Sequence, residues 1–337
     1  MRWNFHGLLI EGATDNPALR DRWRASFASL SEDNANTNPD LSFALNLASS
    51  VPSRPIGEPQ FRQGEFLEYY LDGRAIVAHF PRYGQLRLDV ANGVTEGLVT
   101  SAALTTYGVF EDLVAIGLSP HLRRRGLFLI HAFAASSPPS DGGDTGGAVL
   151  LVGSIGSGKT TTGIALLDAG WKLLSNDSPI VDASAEILSY PGLLAAYPDT
   201  FARFEATTHL LPATTAAVAG IEASAGPSSG LARRQKITIA AESILPNVWI
   251  ERAPAGTIFF LQIESRADHA VEAIGQPEAV RRLLPHAVEQ WDREMIPEHL
   301  RVLRRLVESA PAYVLRLGPD VNVIPALLVD VLSSQRT

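Results

Sequence analysis

The chain contains no cysteine in its 337 residues, which excludes disulfides, thiolate nucleophiles and cysteine-based metal sites together. Charged residues make up only 19%, and no apolar run reaches the roughly eighteen residues that a membrane-spanning helix needs. A formal charge of -8 and a pI near 5.5 leave no general excess of cations for nucleic acid. Neither nucleic acid nor membrane is therefore an expected partner. The opening MRWNFHGLLIEGATDNP turns polar and acidic directly after a short apolar run, unlike a signal peptide, so a cytoplasmic location is the simplest expectation. Arginine greatly outnumbers lysine, which makes Lys159 and Lys236 conspicuous.

What is present begins with a core. The 46% hydrophobic content fills a sizeable interior, and the length suits two domains or one large domain with an appendage. WNFHGLLIE, FLEYYLDG, RAIVAHF and GQLRLDVANG read as short strands separated by turn residues. PALRDRWRASFASLS reads as a helix among them. These segments form a smaller N-terminal α+β module over residues 1–122, with an accessory or substrate-recognition role, and residues 123–337 form a second domain.

In the second domain, VGSIGSGKTTTG, residues 152–163, carries Gly153, Gly158, Lys159 and Thr160 at the spacing of a phosphate-binding loop. The strand-like AVLLV before it is the context that pattern requires. Gly153, Gly156 and Gly158 allow tight turns that aim amide N–H groups at phosphate oxygens, with Ser154, Ile155 and Ser157 between them. Lys159 is expected to reach the β- and γ-phosphates, and the Thr160 hydroxyl to bind Mg²⁺. TTTGIALLDAG, starting with Thr160 and Thr161, reads as a helix pointing its N-terminus at the phosphates, with Gly170 as its stop.

GLFLIHAFAA, residues 126–135, reads as one strand, and SSPPSDGGDTGG as the turn that pairs it with AVLLV. Such a hairpin brings His131 opposite residues near Val152. Downstream, WKLLSNDSP reads as a strand ending in Ser175, Asn176 and Asp177. Asp177 is either the acidic part of a magnesium-nucleotide site or a member of a solvated turn. ATTAAVAGIEASAGPSSG, residues 213–230, reads as helix and loop with the makings of a lid. Arg233, Arg234 and Lys236 either neutralise phosphate charge or cap a turn.

With LIHAFAA, GSIGSGKTT and LLSNDSP in place, residues 120–333 resemble the kinase domain of the bacterial HPr serine kinase/phosphorylase family. The resemblance implies a phosphoenolpyruvate-carboxykinase-like α/β core, with the phosphate loop in a mixed, antiparallel-rich sheet. It also implies ATP and Mg²⁺ held by Gly153, Ser154, Gly156, Gly158, Lys159 and Thr160. By the same resemblance Asp177 is the metal-associated acid, His131 the upstream active-site residue, and Arg234 and Lys236 phosphate contacts. The rings of related kinases make a homo-oligomer one implied assembly. Where the family carries paired aspartates, this chain has Asn176 before Asp177, and asparagine cannot serve as a carboxylate base. The family's Glu-Ile-Arg-Gly segment is also absent after Tyr190.

The expected activity is thus a kinase-type phosphotransferase using Mg-ATP, with Lys159, Asp177, His131 and Asn176 at the reacting end. The acceptor is a hydroxyl on a peptide, protein or small molecule. Nucleotide hydrolysis, or a weakly catalytic nucleotide-dependent regulator that binds peptides, is the alternative.

Overall fold

The computed structural model describes residues 1–33, 37–138, 146–208 and 236–334. They fall into two compact units, Met1–Phe128 with Val288–Leu300, and Leu129–Ala287 with Arg301–Thr337. The first unit therefore runs past the 122/123 division expected from the sequence and takes in a segment from far downstream.

The first unit is built on an eight-stranded sheet: β1 (Arg2–Phe5), β2 (Leu8–Ala13), β3 (Leu41–Leu47), β4 (Phe61–Gln63), β5 (Leu67–Asp72), β6 (Ala75–Phe80), β7 (Gly84–Asp89) and β8 (Val94–Val99), in the order β1-β2-β3-β8-β7-β6-β5-β4. His6 and Gly7 both adopt positive φ, 53° and 84°, as a two-residue hairpin turn between β1 and β2 demands. Helix α1 (Pro17–Ser26) starts with Pro17 and is capped by the Asn16 side chain, which accepts from the Leu19 amide. It buries Trp23 among Trp3, Phe27, Phe43 and Phe110, with ring centroids 5.2–5.8 Å away. After α2 (Ser101–Thr105), α3 (Val109–Arg123) lies close to the sheet at Gly117, where a Cβ would come within 2.4 Å of the Phe43 ring.

Residues 288–300 join this unit through a buried ion cluster. Asp292 receives Arg123 at 2.7 Å and Arg124 at 2.6 Å, and both Asp292 and Arg123 are almost fully buried. Beside them Trp291 stacks on Tyr69 with centroids 4.0 Å apart. No local pattern in the sequence links positions 123 and 292, because the pairing is purely tertiary.

β9 (Phe128–Leu129) falls on the division, and the strands of the second unit are β10 (Ala132–Ser136), β11 (Ala148–Val152), β12 (Lys172–Ser175), β13 (Ile180–Val181), β14 (Glu186–Leu188), β15 (Leu194–Ala196), β16 (Ile237–Ile239), β17 (Arg252–Ile263), β18 (Ala270–Ile274) and β19 (Ala312–Leu317). The long apolar β17 is central. It pairs in parallel with β11 on one side and β19 on the other, and antiparallel with β14 near its start. β10 adds antiparallel to β11, β12 antiparallel to β10, and β18 antiparallel to β19. The result is a mixed α/β unit.

Helix α4 (Lys159–Asp168) follows β11 and packs on β10. Gly163 permits the approach, since a Cβ there would meet the Phe133 ring at 2.3 Å. Ile164, Leu166 and Leu167 are buried beneath it. The helix stops at Gly170, whose φ of 86° is open to glycine but strained for other residues.

One local expectation is corrected. Residues 126–135 do not form one strand but split into β9 and β10, with Ile130 and His131 between them. The backbone leaves the ladder there because the Ile130 amide donates to Pro179 O (2.9 Å) and the His131 amide to His286 O (2.7 Å).

Candidate functional site

The site gathers where β10, β11 and β12 begin or end. β11 delivers residues 153–158 into a glycine-rich loop. Gly153 is tightly enclosed, for a Cβ there would lie 2.4 Å from Ser157 Oγ, and the Ser157 amide donates to Ser154 O at 3.1 Å. Gly156 and Gly158 take φ of 84° and 96°, and Gly158 is the residue on which α4 begins. As in any α-helix, its first-turn amides lack an intrahelical carbonyl, Gly158 offers them no side-chain cap, and they lie at the positive end of the helix dipole.

Lys159 turns back over this loop. Its Nζ donates to Gly153 O and to Ser154 O, and only 8% of the residue is exposed. Among the described residues no carboxylate lies within ion-pairing distance of it. Burial lowers its pKa below the ordinary lysine range; the Asp177 charge opposes that shift, and the Lys236 charge adds to it.

The third neighbour of Lys159 is His131, whose Nε2 lies 3.2 Å from Nζ. An ammonium has only protons to offer, so Nε2 is the acceptor and the proton of the neutral ring sits on Nδ1. That atom faces Asp177 Oδ1 at 3.2 Å. Asp177, His131 and Lys159 thus form a continuous polar chain from an exposed carboxylate to a buried ammonium. The pairing is local in origin: Ala132 lies opposite Val152 in the hairpin, and the Ala132 amide donates to Asp177 O at 3.0 Å. The buried Ser175 Oγ fixes the turn that presents Asp177 by accepting from the Asp177 and Ser178 amides.

Asn176 points elsewhere. Its Nδ2 donates to Leu193 O at 3.4 Å, and its buried Oδ1 has no hydrogen-bond partner among the described residues. Thr160 and Thr161 lie half-buried in the first turn of α4, Ser154 and Gly156 are exposed, and Ile155 is fully exposed at the loop tip. Ser157 Oγ is buried without a hydrogen-bond partner among the described residues.

Lys236 lies at the start of the segment leading into β16, with Nζ 5.7 Å from the centroid of the Tyr197 ring. Its charge reaches Lys159. Arg234, with Arg233, lies outside the described residues, as do residues 213–230 and most of the turn over 136–147.

His286 was not anticipated. It sits in the last turn of the helix Gln276–Ala287, with its ring nearly parallel to that of His131 and 6.2 Å away. Burial holds its pKa down, and the His131 and Lys159 charges hold it down further. In sequence it reads as an ordinary basic residue at a helix C-terminus, with nothing to connect it to position 131.

No protein-family model matches the chain, and no curated protein matches it significantly. The assignment of the site therefore depends on its own chemistry. Two clefts, of about 350 Å³ beside Arg87 and Glu96 and about 270 Å³ beside Gln276 and Tyr313, contain none of these residues. Among the described residues no helix is long and apolar enough to cross a membrane.

Proposed function

We propose that the chain is an ATP-dependent phosphotransferase whose glycine-rich loop holds the nucleotide's phosphates and whose acceptor is a hydroxyl group. The observation that carries this reading is the Lys159 ammonium, buried at a helix N-terminus against the carbonyls of Gly153 and Ser154 with no carboxylate of the described residues in ion-pairing contact. A buried cation without an ionic partner is costly. Phosphate oxygens would supply the missing charge, while the first-turn amides of α4 supply hydrogen bonds.

Thr160 and Asp177 suit a magnesium ion chemically, as a half-buried hydroxyl and an exposed carboxylate. Among the described residues no group of three or more His, Asp or Glu could hold a metal alone, so phosphate oxygens and water would complete its shell. The ion would neutralise charge on the transferring phosphoryl group.

Lys159 cannot serve all its present partners and a triphosphate at once. As it turns to the phosphates, the His131 Nε2 lone pair is uncovered, with Asp177 still holding Nδ1. The His131 and Asp177 dyad then replaces the carboxylate missing at Asn176 as the destination for the acceptor's proton. A transfer screen over serine peptides, phosphocarrier proteins and small hydroxyl compounds tests the activity. Tight ATP binding with no acceptor-dependent transfer would leave the regulator reading, which the amide of Asn176 in place of a carboxylate favours.

A further inference from the structure

We propose that His131 is itself phosphorylated on Nε2, so that transfer proceeds through a phosphohistidine on this chain. The inference rests on the phosphotransferase reading and replaces direct transfer, in which the His131 and Asp177 dyad takes the acceptor's proton, with a covalent route.

Position is the first argument. Nε2 lies 3.2 Å from the Lys159 Nζ, the group expected to contact the γ-phosphate. The imidazole therefore lies beside the phosphoryl group that Lys159 binds. Orientation is the second. Asp177 at 3.2 Å from Nδ1 fixes the tautomer that leaves the Nε2 lone pair facing the loop, as a nucleophile oriented by a third group requires. The ring is not enclosed, for 39% of its side chain is exposed, and the strand break at Ile130 and His131 sets it outside the β10 ladder.

Asn176 supplies the third argument. A hydroxyl attacking ATP directly needs its proton removed; the amide at 176 cannot remove it, which leaves only the His131 and Asp177 dyad as the base of a direct route. A neutral imidazole needs no base, because its lone pair is already free. With His131 as nucleophile, the first half of the reaction proceeds without a carboxylate at position 176.

The atoms balance as follows. The Nε2 lone pair forms a bond to the γ-phosphorus while the bond from phosphorus to the β,γ-bridging oxygen breaks, and its electron pair leaves on ADP. The Nδ1 proton stays between the ring and Asp177. In the second half, the acceptor oxygen attacks the phosphorus, the N–P bond breaks, and its electron pair returns to Nε2. The hydroxyl proton passes to the Asp177 carboxylate and then to water. Lys159 and the amides of the α4 N-terminus face the phosphoryl charge in both halves.

The test uses the full chain with magnesium and γ-labelled ATP in the absence of any acceptor. The expected result is label on the protein that is stable to alkali, lost in acid and mapped to His131 by neutral-pH mass spectrometry. Exchange of labelled ADP into ATP should accompany it. His131→Asn should lower that exchange by at least about 100-fold while ATP still binds and the melting temperature stays close to that of the parent. His286→Asn should retain the label. Acceptor-dependent transfer without label or exchange, or label on an acid-stable serine or threonine, overturns the intermediate and leaves the phosphotransferase reading standing. Failure to bind ATP at all removes both.

Discussion

Lys159 Nζ lies 3.2 Å from His131 Nε2, bringing together residues 28 positions apart in the chain. The contact puts a desolvated ammonium in the position where a polyanion would be received, so function and stability should respond in opposite directions when the lysine is removed.

Lys159→Met replaces that ammonium with an apolar chain of similar length. Nucleotide turnover should fall by roughly 10²–10³, while the thermal midpoint should rise, because a buried charge that only the more distant Asp177 offsets among the described residues is gone. Calorimetry with an ATP-binding assay checks both; a lower midpoint would mean that the hydrogen bonds to Gly153 and Ser154 outweigh the burial.

Asn176→Asp tests the acidic position that the chain lacks. The new carboxylate would lie beside Leu193 O, where Nδ2 now donates, so a stability loss of about 1–3 kcal/mol is expected. Phosphoryl transfer should not increase. A clear gain measured in the transfer assay would place the proton acceptor at 176 and not at the His131 and Asp177 dyad.

Gly163→Ala tests how α4 is seated. The added methyl would meet the Phe133 ring at 2.3 Å, which should cost on the order of 1–3 kcal/mol and weaken ATP binding as the helix start shifts. Adding Phe133→Leu should restore part of both, as urea midpoints and binding isotherms would report.

The first unit should weaken in mild acid. His121 and His299 are buried with pKa values lowered to about 4, mainly by burial and then by nearby arginines. The unfolded chain binds these protons near its ordinary 6.5, so stability is full above that pH and is lost progressively as the pH falls towards 4. At roughly 1.4 kcal/mol per pH unit, each histidine contributes on the order of 3 kcal/mol. His121→Gln should flatten the dependence of the unfolding midpoint over that range.

Asp292→Ala would leave Arg123 and Arg124 without their shared carboxylate. A loss of about 3–5 kcal/mol is expected from breaking a buried pair on one side, with ATP affinity in any still-folded protein unchanged. Denaturant titration beside a binding assay separates the two effects.

Much of this was legible locally. AVLLV, the glycine-rich loop and TTTGIALLDAG follow from apolar runs and glycine placement, and they appear as β11, residues 153–158 and α4. The hairpin reading brought His131 to Val152, and the register pairs the adjacent Ala132 with it. The break at His131 was hidden because its cause, the His286 carbonyl, lies 155 positions downstream by their residue numbers. His286 itself, Tyr197 beneath Lys236, and the attachment of residues 288–300 to the first unit depend on tertiary contacts between distant segments. No local periodicity encodes them.

The distance in sequence between Arg123 and Asp292 also sets an order on synthesis. The carboxylate that neutralises Arg123 is made 169 residues later, after the glycine-rich loop, α4 and β17 have been synthesised. A domain that begins at the N-terminus ordinarily folds first during translation. Here the first unit waits for a segment carried by the second, so nascent chains stopped before residue 292 should hold an eight-stranded sheet that is still open to proteolysis near Arg123 and Arg124.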